Sequence, residues 1–213
     1  MLLTEQKKSL LEAVTHYSKN LSEEALAYLD GRGISKEVAQ QFSLGTIVEP
    51  VNGHEQFEGW LCIPYFTALG DVSIVKFRRL DDGKPKYGQP TGQKTHLFNV
   101  SDTLADLPRI VICEGELDAI VLSGVIGIPA VGVPGVASWK PYYAKLFNGF
   151  DTVYIAGDND IKEDGSNPGA EFSRRVAGDL VNGQIVQLPA GMDINEYYLQ
   201  HGAEQLTNLL GGK

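Results

Sequence analysis

Four carboxylates follow two short apolar runs in the middle of the chain. The run RIVIC leads into Glu114, with Asp118 four residues later, and TVYIA leads through Gly157 into Asp158 and Asp160. Such a quartet gathered in one place is costly at neutral pH unless a cation offsets it. Its donors are all hard oxygens, with no cluster of histidine nitrogen or thiolate nearby. Magnesium or manganese is the cation that chemistry calls for.

The elements around these residues must bring them together. RIVIC and TVYIA, rich in β-branched residues, read as buried strands of a parallel sheet. Acids just past such strands lie at the carboxyl edge, where open α/β sheets bind ligands. Between the two runs, ELDAIVLSG reads as a helix in which Asp118 sits one turn beyond Glu114. IPAVGVPG reads as a strand with a glycine-rich loop, and a helix is expected over Trp139–Phe147. Beyond the second run come a polar insertion, IKEDGSNPG, a helix, GAEFSRRVAGDLV, and a strand, GQIVQLP. Asp193, Asn195 and Glu196 then follow a strand once more, before a last helix, AEQLTNLL; Asp193 and Asn195 also suit a helix cap. Strands alternating with helices predict an α/β fold with right-handed crossovers.

Upstream the pattern differs. Residues 1–45 read as a small helical lead-in: a helix within 5–19, a second opened by Ser22, a third opened by Ser35. From Thr46 the chain turns β-rich, in GWLCIPYF, DVSIVKFRRL and THLFNV, with Gly70-Asp71 closing a hairpin. Alternation places Lys76 and Arg78 on one face, opposite Val75 and Phe77. Lys84, Lys86, Tyr87 and Lys94 fall in the glycine- and proline-rich stretch KPKYGQPTGQK, expected to be a loop. Residues 76–94 carry a local net charge of +4, against −13 for the remainder of the chain. Beside an acidic metal centre this patch suits polyphosphate or nucleic acid; by itself it also fits a solvated hairpin.

The totals set limits. A chain of 213 residues, 43% hydrophobic and 21% charged, has room for a real core. The net charge of −9 argues against non-specific coating of nucleic acid. Cys62 and Cys113 lie far apart in apolar runs, which excludes a zinc module in this chain and predicts buried free thiols. No leader sequence and no run of about 18 apolar residues is present, so a cytoplasmic protein without membrane contact is expected. The four histidines are scattered, and neither a nucleophile elbow nor a Walker motif occurs.

The ordered set EGELDA, a strand ending in DND, and the later DIN resembles the TOPRIM domain of bacterial-type primases, topoisomerases and some nucleases. It is most similar to the primase half of phage primase-helicases. Glu114 matches the TOPRIM glutamate, Asp158 and Asp160 its DxD pair, Asp118 the aspartate of the first motif, and Asp193 with Asn195 the later D-x-[DN]. LAYLDGRGISKEVAQQFSLG and the segment from WLCIPYF to KPKY resemble the parts of primases that precede TOPRIM. The resemblance covers about residues 21–201.

It implies a TOPRIM domain over 108–201, a basic RNA-polymerase subdomain over 46–107 and a C-terminal helix or tail over 202–213. The implied activity is synthesis of RNA primers on single-stranded DNA from ribonucleoside triphosphates. Glu114, Asp158 and Asp160 would be catalytic, joined by Asp118 and Asp193 in holding Mg2+ or Mn2+. Lys76, Arg78, Arg79, Lys84, Lys86, Tyr87 and Lys94 would hold template or triphosphate. Two features depart from the family pattern: residues 161–168 separate DxD from Gly169-Ala170, and neither a zinc module nor a helicase is present. A separate zinc-module or helicase protein is therefore the expected partner, in a minimal, phage- or plasmid-like system. The competing readings are a TOPRIM nuclease and a non-catalytic nucleic-acid- or nucleotide-binding subunit.

Overall fold

The computed structural model describes residues 4–212. Its contacts divide the chain after Thr95 into two compact units. The division does not follow the 107/108 boundary expected from the sequence: the segment from His96 onward belongs with the second unit.

The first unit packs helices against an antiparallel sheet. Helix α1 (Thr4–Tyr17) buries Ala13, Val14 and Tyr17. Helices α2 (Glu23–Asp30) and α3 (Lys36–Gln41) are opened by Ser22 and Ser35, whose hydroxyls accept from Ala25 N–H at 3.1 Å and Val38 N–H at 3.3 Å. Each cap satisfies a backbone donor that the first helical turn leaves without a partner. Strands β1 (Gly45–Thr46), β2 (Leu61–Phe66), β3 (Val72–Arg78) and β4 (Tyr87–Gly88) lie in that order, all antiparallel. The hairpin expected from Gly70-Asp71 is β2–β3. Tyr87 was expected in a loop; instead it pairs with Arg78 in β4. The core gathers α1, Phe57, Val75 and Phe77.

The second unit is α/β. Strands β5 (Arg109–Cys113), β6 (Ala130–Gly132), β7 (Thr152–Ala156) and β8 (Gly183–Ile185) form a fully parallel sheet in the order β6-β5-β7-β8. Ile110, Ile112, Val153 and Ile155 bury fully against Phe147, Phe172 and Val176. Helix α4 (Glu116–Ile120) continues as π-helical turns over Val121–Ile126 and stops at Gly127. Helix α5 (Pro168–Asp179) lies after β7, and α6 (Ile194–Leu209) ends the unit.

Three local expectations are corrected. THLFNV forms no strand: Phe98 alone bridges Gly132, and Asn99, at φ 55°, turns the chain away. The helix expected over Trp139–Phe147 is a 3-10 helix over Pro141–Phe147. Trp139 precedes it in an extended conformation, its indole N–H donating to Asp179 at 2.8 Å. The segments NEYYLQ and AEQLTNLL are one helix, kinked at Gly202, so no separate tail begins there. Cys62 and Cys113 are buried free thiols. Among the described residues no helix is long and apolar enough to cross a membrane.

Candidate active site

β5 and β7 are adjacent parallel strands in register, Cys113 opposite Ala156. Their next residues therefore emerge side by side at the carboxyl edge. A Glu114 side-chain oxygen accepts the Asp158 backbone N–H at 3.0 Å, which ties the two strand ends together. Asp118, one turn into the following helix, is 7% exposed and accepts the Asn195 N–H at 3.2 Å. That contact draws the first turn of α6 to the site, where the Asn195 N–H and the helix dipole favour a carboxylate. Asp193 is the α6 N-cap, in a reciprocal capping box with Glu196. Asp160 is exposed, 3.9 Å from Lys162.

The carboxylates share a field. Burial, then the charges of Asp118, Glu114, Asp193 and Asp160, push Asp158 up to about 8. Burial likewise raises Glu114, against the lowering effect of the Asp158 N–H. Among the described residues no three acidic, histidine or cysteine side chains converge into a ready-made ligand set. The donor chemistry nevertheless fits a hard divalent cation, which would relieve the repulsion recorded at Asp158. Glu114 and Asp158 offer such oxygens at the two strand ends, and Asp160 offers one beside them.

The insertion after DND does not remove Gly169 from the site. Residues 161–167 loop outward, closed by Asn167 donating to Asn159 at 2.7 Å. Gly169 then returns against the strand end, where a β-carbon would overlap the Asp158 carbonyl and press on the Glu114 carboxylate. Gly157 faces Gly169 across the same close approach. The two glycines let α5 start directly against the acidic strand ends.

In the first unit, the basic residues form a cation–aromatic face. Lys76 and Arg78 point from β3 on the side away from the core, as alternation predicts. Lys76 Nζ lies 4.3 Å from the Tyr87 ring centre, and the Arg78 guanidinium lies 4.9 Å from Tyr87 and 5.0 Å from Tyr28. Arg78 donates to the Tyr87 hydroxyl at 2.6 Å, while Arg78 Nε and the Tyr28 hydroxyl are buried with no hydrogen-bond partner. Arg32 lies 5.3 Å from the Tyr28 ring. Lys84, Lys86 and Lys94 are exposed. Arg79 differs: it forks onto Asp81 at 2.6 and 2.9 Å, which pulls Asp81 down to about 2. Its charge is committed within the chain. Tyr28 and Arg32 were not picked out from the sequence, although their four-residue spacing was visible there.

The Toprim domain model matches residues 109–204. The Gene 57 protein of Mycobacterium phage D29 is 39% identical over 154 residues, which cover 70% of this chain and 97% of that one. The chain belongs to the Toprim family. The Aquifex aeolicus primase structure containing zinc-binding and RNA polymerase domains superposes with a TM-score of 0.80 at 22% identity, over 99% of this chain and 62% of that one. A DnaG primase catalytic domain bound to single-stranded DNA gives 0.75 at 19% identity, over 98% and 82%. The fold of this Toprim protein is thus that of primase catalytic cores. It spans about a third of the length of the curated bacterial DNA primases it matches.

Proposed function

We propose that this chain is the catalytic core of a DNA primase, joining ribonucleotides on a single-stranded DNA template. The observation that carries the reading is the pairing of Glu114 and Asp158 at adjoining parallel strand ends, with Asp118 joined to α6 beside them. Two units that together follow primase cores over nearly the whole chain support it.

In the reaction, the primer 3′-hydroxyl attacks the α-phosphorus of the incoming nucleotide, and the bond to pyrophosphate breaks. A bound magnesium or manganese ion would neutralise the triphosphate and the charge growing on the pyrophosphate. Glu114, Asp158 and Asp160 are assigned to hold it. Asp118 supplies further negative charge and fixes α6, and Asp193 caps that helix. Lys76, Arg78 and Tyr87, with Lys84, Lys86 and Lys94, bind template or triphosphate, the rings stacking on bases and the cations meeting phosphates. Arg79 serves mainly to brace its loop through Asp81. A zinc-module or helicase protein is the chain's partner in this reading, a zinc module helping to select the start site.

The test is incubation with single-stranded DNA, labelled ribonucleotides and either cation, beside Glu114→Ala and Asp158→Ala. Short RNA products lost in both variants support the reading. Metal-dependent shortening of the DNA without RNA would assign a nuclease instead. Absence of both activities, even with candidate partner proteins added, would assign a binding subunit.

A further inference from the structure

The crossover from β6 to β7 leaves large apolar side chains open to solvent. Side chains of a 3-10 helix repeat every three residues, so those of Pro141–Phe147 fall into three rows. Ala144 and Phe147 form the buried row. Tyr142 and Lys145 form a second, and Tyr143 and Leu146 a third. Tyr142 is 63% exposed and Leu146 41%. The Tyr142 ring meets that of Tyr143 edge-on at 4.7 Å, which steadies it while most of it stays open. Val181, 95% exposed, lies at the end of this helix, because the next residue, Asn182, donates to the carbonyls of Phe147 and Phe150. The patch so formed ends where β7 and β8 begin, at the amino edge of the sheet, opposite the edge that carries Glu114 and Asp158. Single exposed apolar residues are ordinary; a tyrosine, a leucine and a valine gathered in one place mark a surface that meets another molecule.

The border of the patch is basic. From Ala119 to Phe150 the chain has no aspartate or glutamate, although 27 occur elsewhere, and its only charges there are Lys140 and Lys145. Both are exposed, and neither forms an ion pair among the described residues. Arg175 adds a third cation. It stands one turn before Asp179, whose carboxylate accepts the Trp139 indole N–H, and so lies on the face of α5 that meets the crossover. Glu171 lies a further turn away, and Asp151 follows Phe150. A nucleic-acid track sets rings among its cations, as Tyr87 stands between Lys76 and Arg78. Here aliphatic side chains share the centre and the cations lie outside, a layout that suits apolar residues flanked by acids.

We infer that this patch docks a partner protein through a segment carrying large apolar side chains between aspartates or glutamates. The apolar residues cover Tyr142, Leu146 and Val181, and the acids meet Lys140, Lys145 and Arg175. Docking there leaves the acidic centre open and is independent of the primase reading.

The test pans a phage-displayed library of random short peptides against the full chain, then titrates the recovered peptides by fluorescence anisotropy. Recovered sequences should combine apolar residues with acids. Tyr142→Ser together with Leu146→Ser removes two exposed apolar side chains, and Lys140→Glu together with Lys145→Glu reverses the border. Thermal denaturation checks that both variants fold, and Val181→Ser, at an almost fully exposed position, replaces either one that does not. Each folded variant should weaken peptide binding about tenfold, and the deficit of the charge-reversed one should shrink in high salt. Affinity for single-stranded DNA should stay unchanged. Recovery of no peptide, of peptides lacking acids, or of peptides that bind the folded variants within about twofold of the parent would overturn the inference. Loss of single-stranded DNA binding in these variants would assign the patch to nucleic acid, and self-association of the parent that the variants abolish would assign it to a second copy; either result overturns it too.

Discussion

Glu114 and Asp158 are joined through the backbone: a glutamate oxygen accepts the aspartate's N–H at 3.0 Å across two adjoining parallel strands. One oxygen of Glu114 thus has a structural task while its charge faces the other carboxylates. Glu114→Gln keeps an acceptor for that N–H but removes the charge, whereas Glu114→Ala leaves the donor unpaired. Primer synthesis should fall by at least about a hundredfold in both. Only the alanine variant should also lose about 1–3 kcal/mol of stability in urea unfolding. Magnesium should raise the Tm of the parent and of neither variant. Equal stability of the two variants would contradict the backbone role.

Gly169 makes a sharper steric case. A methyl group there meets backbone and a carboxylate, neither of which can swing aside. Gly169→Ala should cost about 1–3 kcal/mol, as overpacked sites do, and should abolish activity by displacing the strand ends. Gly178, in the same helix, has open space around its would-be β-carbon. Gly178→Ala should therefore stabilise by about 0.5–1 kcal/mol with activity intact. Thermal melts and primer assays on the pair separate the local clash from a general intolerance of alanine in α5.

These relations show which parts of the chain could be read in advance. Short β-branched runs ending in acids announced β5, β7 and the edge where Glu114 and Asp158 meet, because strand burial and ligand position follow from local pattern. Asp193 could not be decided that way: a metal ligand and a helix cap share the same local sequence, and only its bond to Glu196 N–H reveals the cap. Tyr28 escaped notice because its partner, Arg78, lies fifty residues on, and stacking at that range leaves no periodic trace. THLFNV has strand composition, but the turn at Asn99 limits its pairing to one bridge. The resemblance and its charge group Arg79 with the binding cations. Its fork onto Asp81 depends on a loop shape that composition does not specify.

The stacked Arg78 should behave differently from the exposed lysines. Lys86→Ala removes one mobile charge, so binding to single-stranded DNA should weaken modestly and the salt slope should fall by about 0.7. Arg78→Lys retains the charge but gives up the planar contact with Tyr28 and Tyr87. Its affinity should drop about fivefold to tenfold with little change in salt slope. Fluorescence anisotropy with a labelled oligonucleotide across a salt series distinguishes them. Equal slopes and equal affinities in the two variants would remove the special role of the stack.

A pH dependence follows from His54. The residue is 6% exposed, its Nδ1 lies 3.0 Å from the Tyr17 hydroxyl, and its ring packs edge-on against Phe77. Tyr17 accepts the Val51 N–H, which leaves its own proton for His54 and keeps Nδ1 unprotonated. Burial lowers the His54 pKa below its ordinary value of 6.5, and the neighbouring Glu55 only partly offsets this. The unfolded chain therefore binds a proton at a higher pH than the folded one, so stability is full above 6.5 and declines as the pH falls toward the folded pKa. His96, lowered by burial as well, adds a slope of the same sign. His54→Asn supplies a carboxamide acceptor for Tyr17 but cannot titrate. Its Tm should be below the parent's at pH 8 because the packing on Phe77 is lost, and should fall less between about pH 6.5 and 5. Parallel pH profiles in parent and variant would place the titration elsewhere in the molecule.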